Sequence, residues 1–230
     1  MNKKIFIACD TSNIKKVKEI IKCTQTKKLN IYYKFGLEFF YSKLGRYFFL
    51  KMDKKQKIFL DLKLNDIPNT SISALDSLKD LKNIKYLSVH INGGYEMLKA
   101  IKEKSKKINN NVKILGVTIL TSLTKKSLGE IGHTRSIKSL VIKQAKLAKK
   151  CNLDGIICSA QEAKVVKNIC KNMEIVTPGI RLSKDKYQDQ KRVCTPIEAF
   201  NNGATSIVIG RSITQGSIRN NLKRLIKSLS

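Results

Sequence analysis

Asp61 and Lys63 stand two residues apart in the run Phe59-Leu60-Asp61-Leu62-Lys63-Leu64-Asn65-Asp66-Ile67-Pro68-Asn69-Thr70. On an extended segment that spacing turns both to one side, and Leu60, Leu62 and Leu64 to the other. A carboxylate and an ammonium held together at the end of a strand are the kind of pair acid–base chemistry uses. Burying charge is expensive, so such a pair reads as functional, with a structural ion pair as the plainer alternative. Asp10 at the end of an earlier apolar run, and Lys34 within the next one, add further charge at comparable positions. A second cluster lies downstream in Thr177-Pro178-Gly179-Ile180-Arg181 and Ile209-Gly210-Arg211-Ser212. There a glycine lets backbone N–H groups approach a ligand and an arginine fork matches phosphate oxygens, which points to a phosphorylated substrate. The three prolines, Pro68, Pro178 and Pro196, all fall in or near polar loops, as if the shape of those loops matters.

Positioning these groups requires a regular frame. Short β-branched runs predict strands at Ile5–Asp10, Ile31–Gly36, Lys57–Leu64, Tyr86–Ile91, Lys113–Leu120, Gly155–Ala160, Glu174–Ile180 and Ser206–Ile213. Helical spacing predicts helices over Asn13–Lys28, Leu37–Phe49, Thr70–Lys82, Gly94–Ile108, Ser136–Lys150, Gln161–Lys171, Pro196–Asn202 and Ser217–Leu229. Strands apolar on both faces and alternating with helices imply a parallel sheet, and eight such units imply a closed (β/α)8 barrel. An open doubly wound sheet is the other arrangement this order allows. No linker or composition break appears apart from the small cluster Asn109-Asn110-Asn111, so one domain is expected over residues 1–230. In a barrel of this kind chemistry sits at the C-terminal ends of the strands, where the charged residues fall.

The composition is basic: 46 Lys and Arg against 17 Asp and Glu, a net charge of +29, with 42% hydrophobic residues. That hydrophobic content excludes a disordered chain. Only seven of the basic residues are arginine and none stands in a run longer than two, so the charge reads as solvated lysine faces rather than a nucleic-acid surface. Ile5-Phe6-Ile7-Ala8-Cys9 is stopped by Asp10, short of the roughly 7–15 apolar residues of an export signal. Nothing approaches the ~18 apolar residues of a membrane span, and a cytoplasmic protein without membrane partners is expected. The cysteines at 9, 23, 151, 158, 170 and 194 form no Cys-x-x-Cys pair and read as buried thiols.

Asp61-x-Lys63-x-x-Asp66-Ile67-Pro68-Asn69-Thr70, with Lys34 upstream and Pro178-Gly179-Ile180-Arg181 and Gly210-Arg211 downstream, closely resembles the orotidine 5′-phosphate decarboxylases of bacterial type. The similarity runs nearly end to end. It continues through Ala8-Cys9-Asp10, Lys34-Phe35-Gly36-Leu37-Glu38, Val89-His90-x-x-Gly93-Gly94 and Val117-Thr118-Ile119-Leu120-Thr121-Ser122, then Cys158-Ser159-Ala160-x-Glu162-Ala163 and Asp189-Gln190-x-Arg192-Val193-x-Thr195-Pro196. Cys9, Asn65 and Asn92 depart from the residues usual there, and none of the three removes a charged or phosphate-gripping group.

The resemblance implies a cofactor-free and metal-free conversion of orotidine 5′-phosphate to UMP and CO2, the last step of pyrimidine nucleotide synthesis, in a homodimer with shared sites. It implies an array of Lys34, Asp61, Lys63 and Asp66, the last reaching in from the partner subunit. Lys63 would protonate C6, Asp61 would hold Lys63 and contact ribose, and the partner subunit's Asp66 would lie near the substrate carboxylate. Lys34 and Asp10 would contact the ribose hydroxyls, Ile67 and Thr70 would cross the interface, and Thr121 or Ser122 would face the pyrimidine. Gln190, Arg211 and the backbone of Gly210 would hold phosphate, with Arg181 opening the loop that closes over it. His90 is expected to line the barrel structurally. Related magnesium-dependent sugar-phosphate enzymes, of the 3-keto-L-gulonate 6-phosphate decarboxylase or hexulose-phosphate synthase type, share the Asp-x-Lys-x-x-Asp barrel. Ile67-Pro68-Asn69-Thr70 and the stretch from Arg181 to Gln190 favour the orotidylate reading over them. A basic RNA-binding protein is the rival from another class.

Overall fold

Side chains on a strand alternate between its faces, and here that alternation sorts the apolar residues into two cores. Ile5 and Ile7 point outward against Val17 and Ile20 of the first helix, whereas Phe6 and Ala8 point inward to meet Phe59, Tyr86, Leu115, Val117, Ile157, Val176 and Val208. The computed structural model describes residues 3–108, 112–183, 185 and 193–229. The chain runs β1 (Lys4–Ala8), α1 (Ile14–Thr24), β2 (Asn30–Phe35), α2 (Leu37–Phe40), α3 (Gly45–Lys51), β3 (Ile58–Leu64), α4 (Pro68–Asp76), β4 (Ile84–His90) and, after a single 3-10 turn at Ile91–Gly93, α5 (Gly94–Lys107). It continues through β5 (Lys113–Val117), α6 (Lys125–Glu130), α7 (Ile137–Lys150), β6 (Gly155–Ile157), α8 (Ala160–Ile169), β7 (Glu174–Ile180), α9 (Pro196–Asn201), β8 (Ser206–Ile209), α10 (Arg211–Thr214) and α11 (Ile218–Leu229).

The strands are parallel and lie in sequence order around a closed barrel. Closure is made by β1, which pairs with β2 on one side and β8 on the other, and this excludes the open sheet. Inside, Phe6 packs edge-on against Phe59 and Tyr86 with ring centroids 5.1 and 5.2 Å apart. Truncating such a buried ring costs about 3–5 kcal/mol, so the interior is a packed core rather than a channel.

Three differences from the sequence reading have local causes. The helix expected over Leu37–Phe49 is broken into α2 and α3. Between them Ser42 Oγ donates to the Phe39 carbonyl at 2.7 Å, and Gly45 lies so close that a Cβ there would sit 1.9 Å from the same oxygen. The helix expected over Thr70–Lys82 ends at Asp76, and Arg46 donates to the Ser77 carbonyl and the Asp80 carboxylate just beyond it. Strand β8 stops at Ile209 instead of Ile213, because Gly210 turns the chain into α10. Strands β1, β5 and β6 are also shorter than expected, although Cys9, Thr118 and Cys158 each extend the ladder by one backbone hydrogen bond. Helix α6 has no counterpart in the sequence reading; Thr124 caps it by accepting from the Ser127 N–H.

The residues past the strand ends are thereby released to line the mouth of the barrel. α9 shows how one such connection is fixed. Thr195 accepts from the Glu198 N–H while the Glu198 carboxylate accepts from the Thr195 N–H, a capping box with Pro196 in the first turn.

Candidate active site

At the C-terminal mouth a cavity of about 640 Å³ opens above the packed interior. This is the size range of small-molecule sites. Its floor is charged. Lys34, the last residue but one of β2 and only 7% exposed, directs Nζ to Asp10 Oδ1 at 2.8 Å and to Asp61 Oδ2 at 3.4 Å. Lys63 Nζ meets the other oxygen, Asp61 Oδ1, at 2.9 Å. Asp61 therefore sits between two ammonium groups, with Asp10 balancing the outer side of Lys34.

The electrostatics follow from that order. Burial pushes the Asp61 carboxyl up, but Lys34, Lys63 and the hydrogen bonds from Lys63 and Ser88 outweigh it and hold it below the usual carboxylate range. Burial pulls Lys34 down, and Asp61 and Asp10 overcome that to hold it above the usual lysine value. His90, half-buried at the end of β4, is lowered by burial and then by the neighbouring Lys63 charge. It thus resists becoming a further cation in the site. Burial raises the Cys9 thiol behind Lys34, leaving it a protonated packing group.

Lys63 departs from the simple extended geometry expected for it. Its φ is +51°, in the left-handed region, and the β3–β4 register shifts between Leu60 and Leu64. A bulge, rather than flat alternation, brings its ammonium to Asp61. A non-glycine residue held there costs about 1–3 kcal/mol, and such strain concentrates at functional sites. The outward set of Leu60, Leu62 and Leu64 is as the alternation predicts, all three packing in the outer core.

The far wall carries the phosphate-type residues. Pro178, Gly179, Arg181, Gly210 and Arg211 all line the cavity, with Thr214 and Gln215 just beyond them. Gly179 has φ +79°, a turn conformation that suits glycine, and its carbonyl accepts from the Cys194 N–H. Arg181 is buried, its Nη1 donating to the Ile180 carbonyl at 3.0 Å and its backbone N–H to the Cys194 carbonyl. Gln190 lies outside the described residues, as do Asn109–Asn111.

The structure thus brings together Asp10, Lys34, Asp61, Lys63, Thr121, Arg181, Gly210 and Arg211 around one cavity. It separates two other groups from it. Ser122 is exposed and does not line the cavity, whereas Thr121 does. Asp66, Ile67 and Thr70 are exposed on the outer surface at the start of α4, and the Asp66 carboxylate accepts from the Ile67 N–H at 2.7 Å. Within one chain Asp66 does not join the charged array.

Sequence reasoning missed Thr11, Lys16, Cys158 and Gln215, which line the cavity, and Ser88, which lies under it. Ser88 shares the inward phase of β4 with Tyr86 and His90, a signal available once the register of that strand is fixed.

The sequence profile of the orotidine 5′-phosphate decarboxylase / HUMPS family matches residues 3–222. The chain is 39% identical over 224 residues to an orotidine 5′-phosphate decarboxylase of Carboxydothermus hydrogenoformans, covering 95% of this chain and 92% of that one. It is 39% identical over 232 residues to that of Fusobacterium nucleatum, covering 100% and 96%. The crystal structure of the enzyme so named from Lactobacillus acidophilus superposes with a TM-score of 0.86 at 31% identity, covering 99% of each chain.

Proposed function

From the premise that the chain belongs to the orotidine 5′-phosphate decarboxylase / HUMPS family, we propose that it converts orotidine 5′-phosphate to UMP and CO2 without metal or cofactor, in pyrimidine synthesis. The observation that carries this reading is the chain of alternating charges Asp10, Lys34, Asp61, Lys63, buried at Lys34 and Asp61, on the floor of a cavity whose far wall holds Arg211 and Gly210.

The substrate's phosphate sits against Arg211 and the Gly210 backbone, with Arg181 on the same wall and Gln190 as a further phosphate ligand. Ribose hydroxyls meet Lys34, Asp10 and Asp61, and Thr121 faces the pyrimidine. The bond from C6 to the carboxyl carbon breaks, CO2 leaves, and the electron pair stays on C6. Lys63, whose ammonium is already fixed beside Asp61, stabilises that charge as it forms and gives C6 its proton, recovering one from solvent afterwards. Charges preset by their neighbours need no reorganisation during the step. The phosphate is remote from the reacting carbon, so gripping it supplies binding energy for ordering the site.

Asp66, Ile67 and Thr70 act across a homodimer interface, where the partner subunit's Asp66 lies near the substrate carboxylate. Support comes from their exposure, Ile67 being 67% exposed, and from the apolar surface of Leu37, Tyr41, Leu44, Tyr47 and Leu50 on α2, α3 and the turn between them. Isolated exposed apolar residues are ordinary, whereas a run of them marks an interface. The proposed activity is that of one barrel domain working in the cytoplasm; no helix of the described residues is long and apolar enough to cross a membrane.

The test is the loss of orotidylate absorbance on adding purified protein, with and without EDTA. Turnover unaffected by EDTA is expected. Absence of turnover overturns the substrate, and turnover abolished by EDTA overturns the metal-free chemistry in favour of the magnesium-dependent relatives.

A further inference from the structure

Lys63 is tied at both ends. Its backbone N–H donates to Ser88 Oγ at 2.9 Å, Ser88 Oγ in turn lies 2.8 Å from Asp61 Oδ1, and the same carboxylate oxygen receives Lys63 Nζ at 2.9 Å. A serine hydroxyl has one proton. Because Lys63 N–H can only donate, the hydroxyl accepts there and its own proton points at Asp61. The three residues close a ring that leaves the hydroxyl one arrangement. Ser88 is fully buried, on β4, opposite the point where the β3 register shifts and Lys63 takes its left-handed φ of +51°.

We infer that Ser88 is a positioning residue for the reaction: its hydroxyl pins the strained backbone of Lys63 to the carboxylate that holds the Lys63 ammonium, so that the proton donor is fixed before substrate arrives. The inference rests on the decarboxylase reading above. No contact between Ser88 and the substrate is required, and Ser88 does not line the cavity. Without the hydroxyl, the Lys63 N–H loses its acceptor, Asp61 loses a donor, and both ends of the lysine gain freedom while the phosphate wall is untouched. A misplacement of the reacting group by about 1 Å can cost ~100-fold in rate. The effect therefore belongs in the chemical step and not in ligand affinity.

The experiment measures kcat for orotidine 5′-phosphate and Kd for UMP in the wild type, Ser88→Ala and Ser88→Thr. Alanine is expected to lower kcat by about 10- to 100-fold, in line with the cost of a displaced reacting group, with UMP affinity held within about threefold. Threonine, which keeps the hydroxyl, is expected to restore most of the rate. An alanine variant with unchanged kcat, a fall in UMP affinity that matches the fall in rate, or a threonine no faster than alanine overturns the role of Ser88. A wild type that turns over no orotidylate overturns the decarboxylase reading instead, so the two failures are distinguishable.

Discussion

Each end of the barrel holds a lysine against a buried carboxylate, and the surroundings of the two pairs differ. At the base, Lys4 Nζ meets Glu174 Oε1 at 2.6 Å and also donates to the Tyr86 hydroxyl. Ser206 Oγ donates to the same glutamate oxygen at 2.5 Å and Tyr86 donates to the other at 2.9 Å. Lys4 further lies over the rings of Tyr32 and Tyr86. Every oxygen of Glu174 is engaged and the aromatic rings close the barrel beneath the Phe6 layer. At the mouth, the carboxylate of Asp61 is shared by two lysines, one of them strained, and the array faces a cavity. Burying a charge pair is costly in both places. The base answers that cost with complete satisfaction, which is what a structural plug needs; the mouth leaves an ammonium facing open space, which is what a reacting group needs.

By that contrast, removing charge at each end should break different properties. The largest effect is expected at the mouth: Lys63→Ala should lower decarboxylation by about 1,000-fold or more while UMP still binds. Near-normal turnover would make the mouth pair structural, like the base. Lys63→Gly sharpens the point, because glycine adopts positive φ without strain. It should abolish activity yet raise thermal stability slightly, by up to about 1 kcal/mol, as measured by denaturant melts. At the base the pattern should invert. Glu174→Ala leaves Lys4 buried without its carboxylate and should destabilise the fold by about 2–4 kcal/mol, somewhat less than a fully buried pair because both side chains retain slight exposure. Its kcat, read well below the melting temperature, should stay within about threefold of wild type, since its effect is on stability rather than on the reacting groups.

The same contrast explains what was legible in the sequence. Alternation along each strand and helical spacing between strands depend on local pattern, so the barrel, its strand order and the outward leucines of β3 could be read directly. The pairing of Asp61 with Lys63 was legible as well, but through the wrong geometry: a lysine gives no local sign that it will take a left-handed φ, which the β3–β4 register imposes. The break between α2 and α3 depends on Gly45 approaching the Phe39 carbonyl, a tertiary contact. Ser88 was illegible for a related reason. A serine on a strand acquires meaning only when its neighbour's bulge presents an N–H to it. Asp66, Ile67 and Thr70 carried a signal only through family resemblance, since nothing in their own chain brings them to the cavity.

A third test separates the two walls of the mouth. Arg211→Ala should weaken UMP binding by about 10- to 100-fold, the worth of about 1.5–3 kcal/mol for charged hydrogen bonds, while leaving uridine binding unchanged. Equal losses for both ligands would place Arg211 outside the phosphate wall.

The smallest effect concerns pH, and it falls on the mouth. Burial, followed by the Lys63 charge, keeps the His90 imidazole below its ordinary value near 6.5. A group whose folded pKa is depressed binds its proton more readily in the unfolded chain, so the stability it contributes is present above the unfolded value and is lost as pH falls through the folded one. The wild type should therefore soften between about pH 6.5 and the lower folded value of His90, a window in which Asp61, held below the carboxylate range, remains ionised. His90→Asn should flatten stability across that window when melts are compared at pH 7.5 and 5. Glu174→Ala should leave the slope in place, because the base lies at the other end of the barrel. A slope that survives His90→Asn and disappears with Glu174→Ala would mean that acid sensitivity resides in the plug, and the division between the two ends would have to be redrawn.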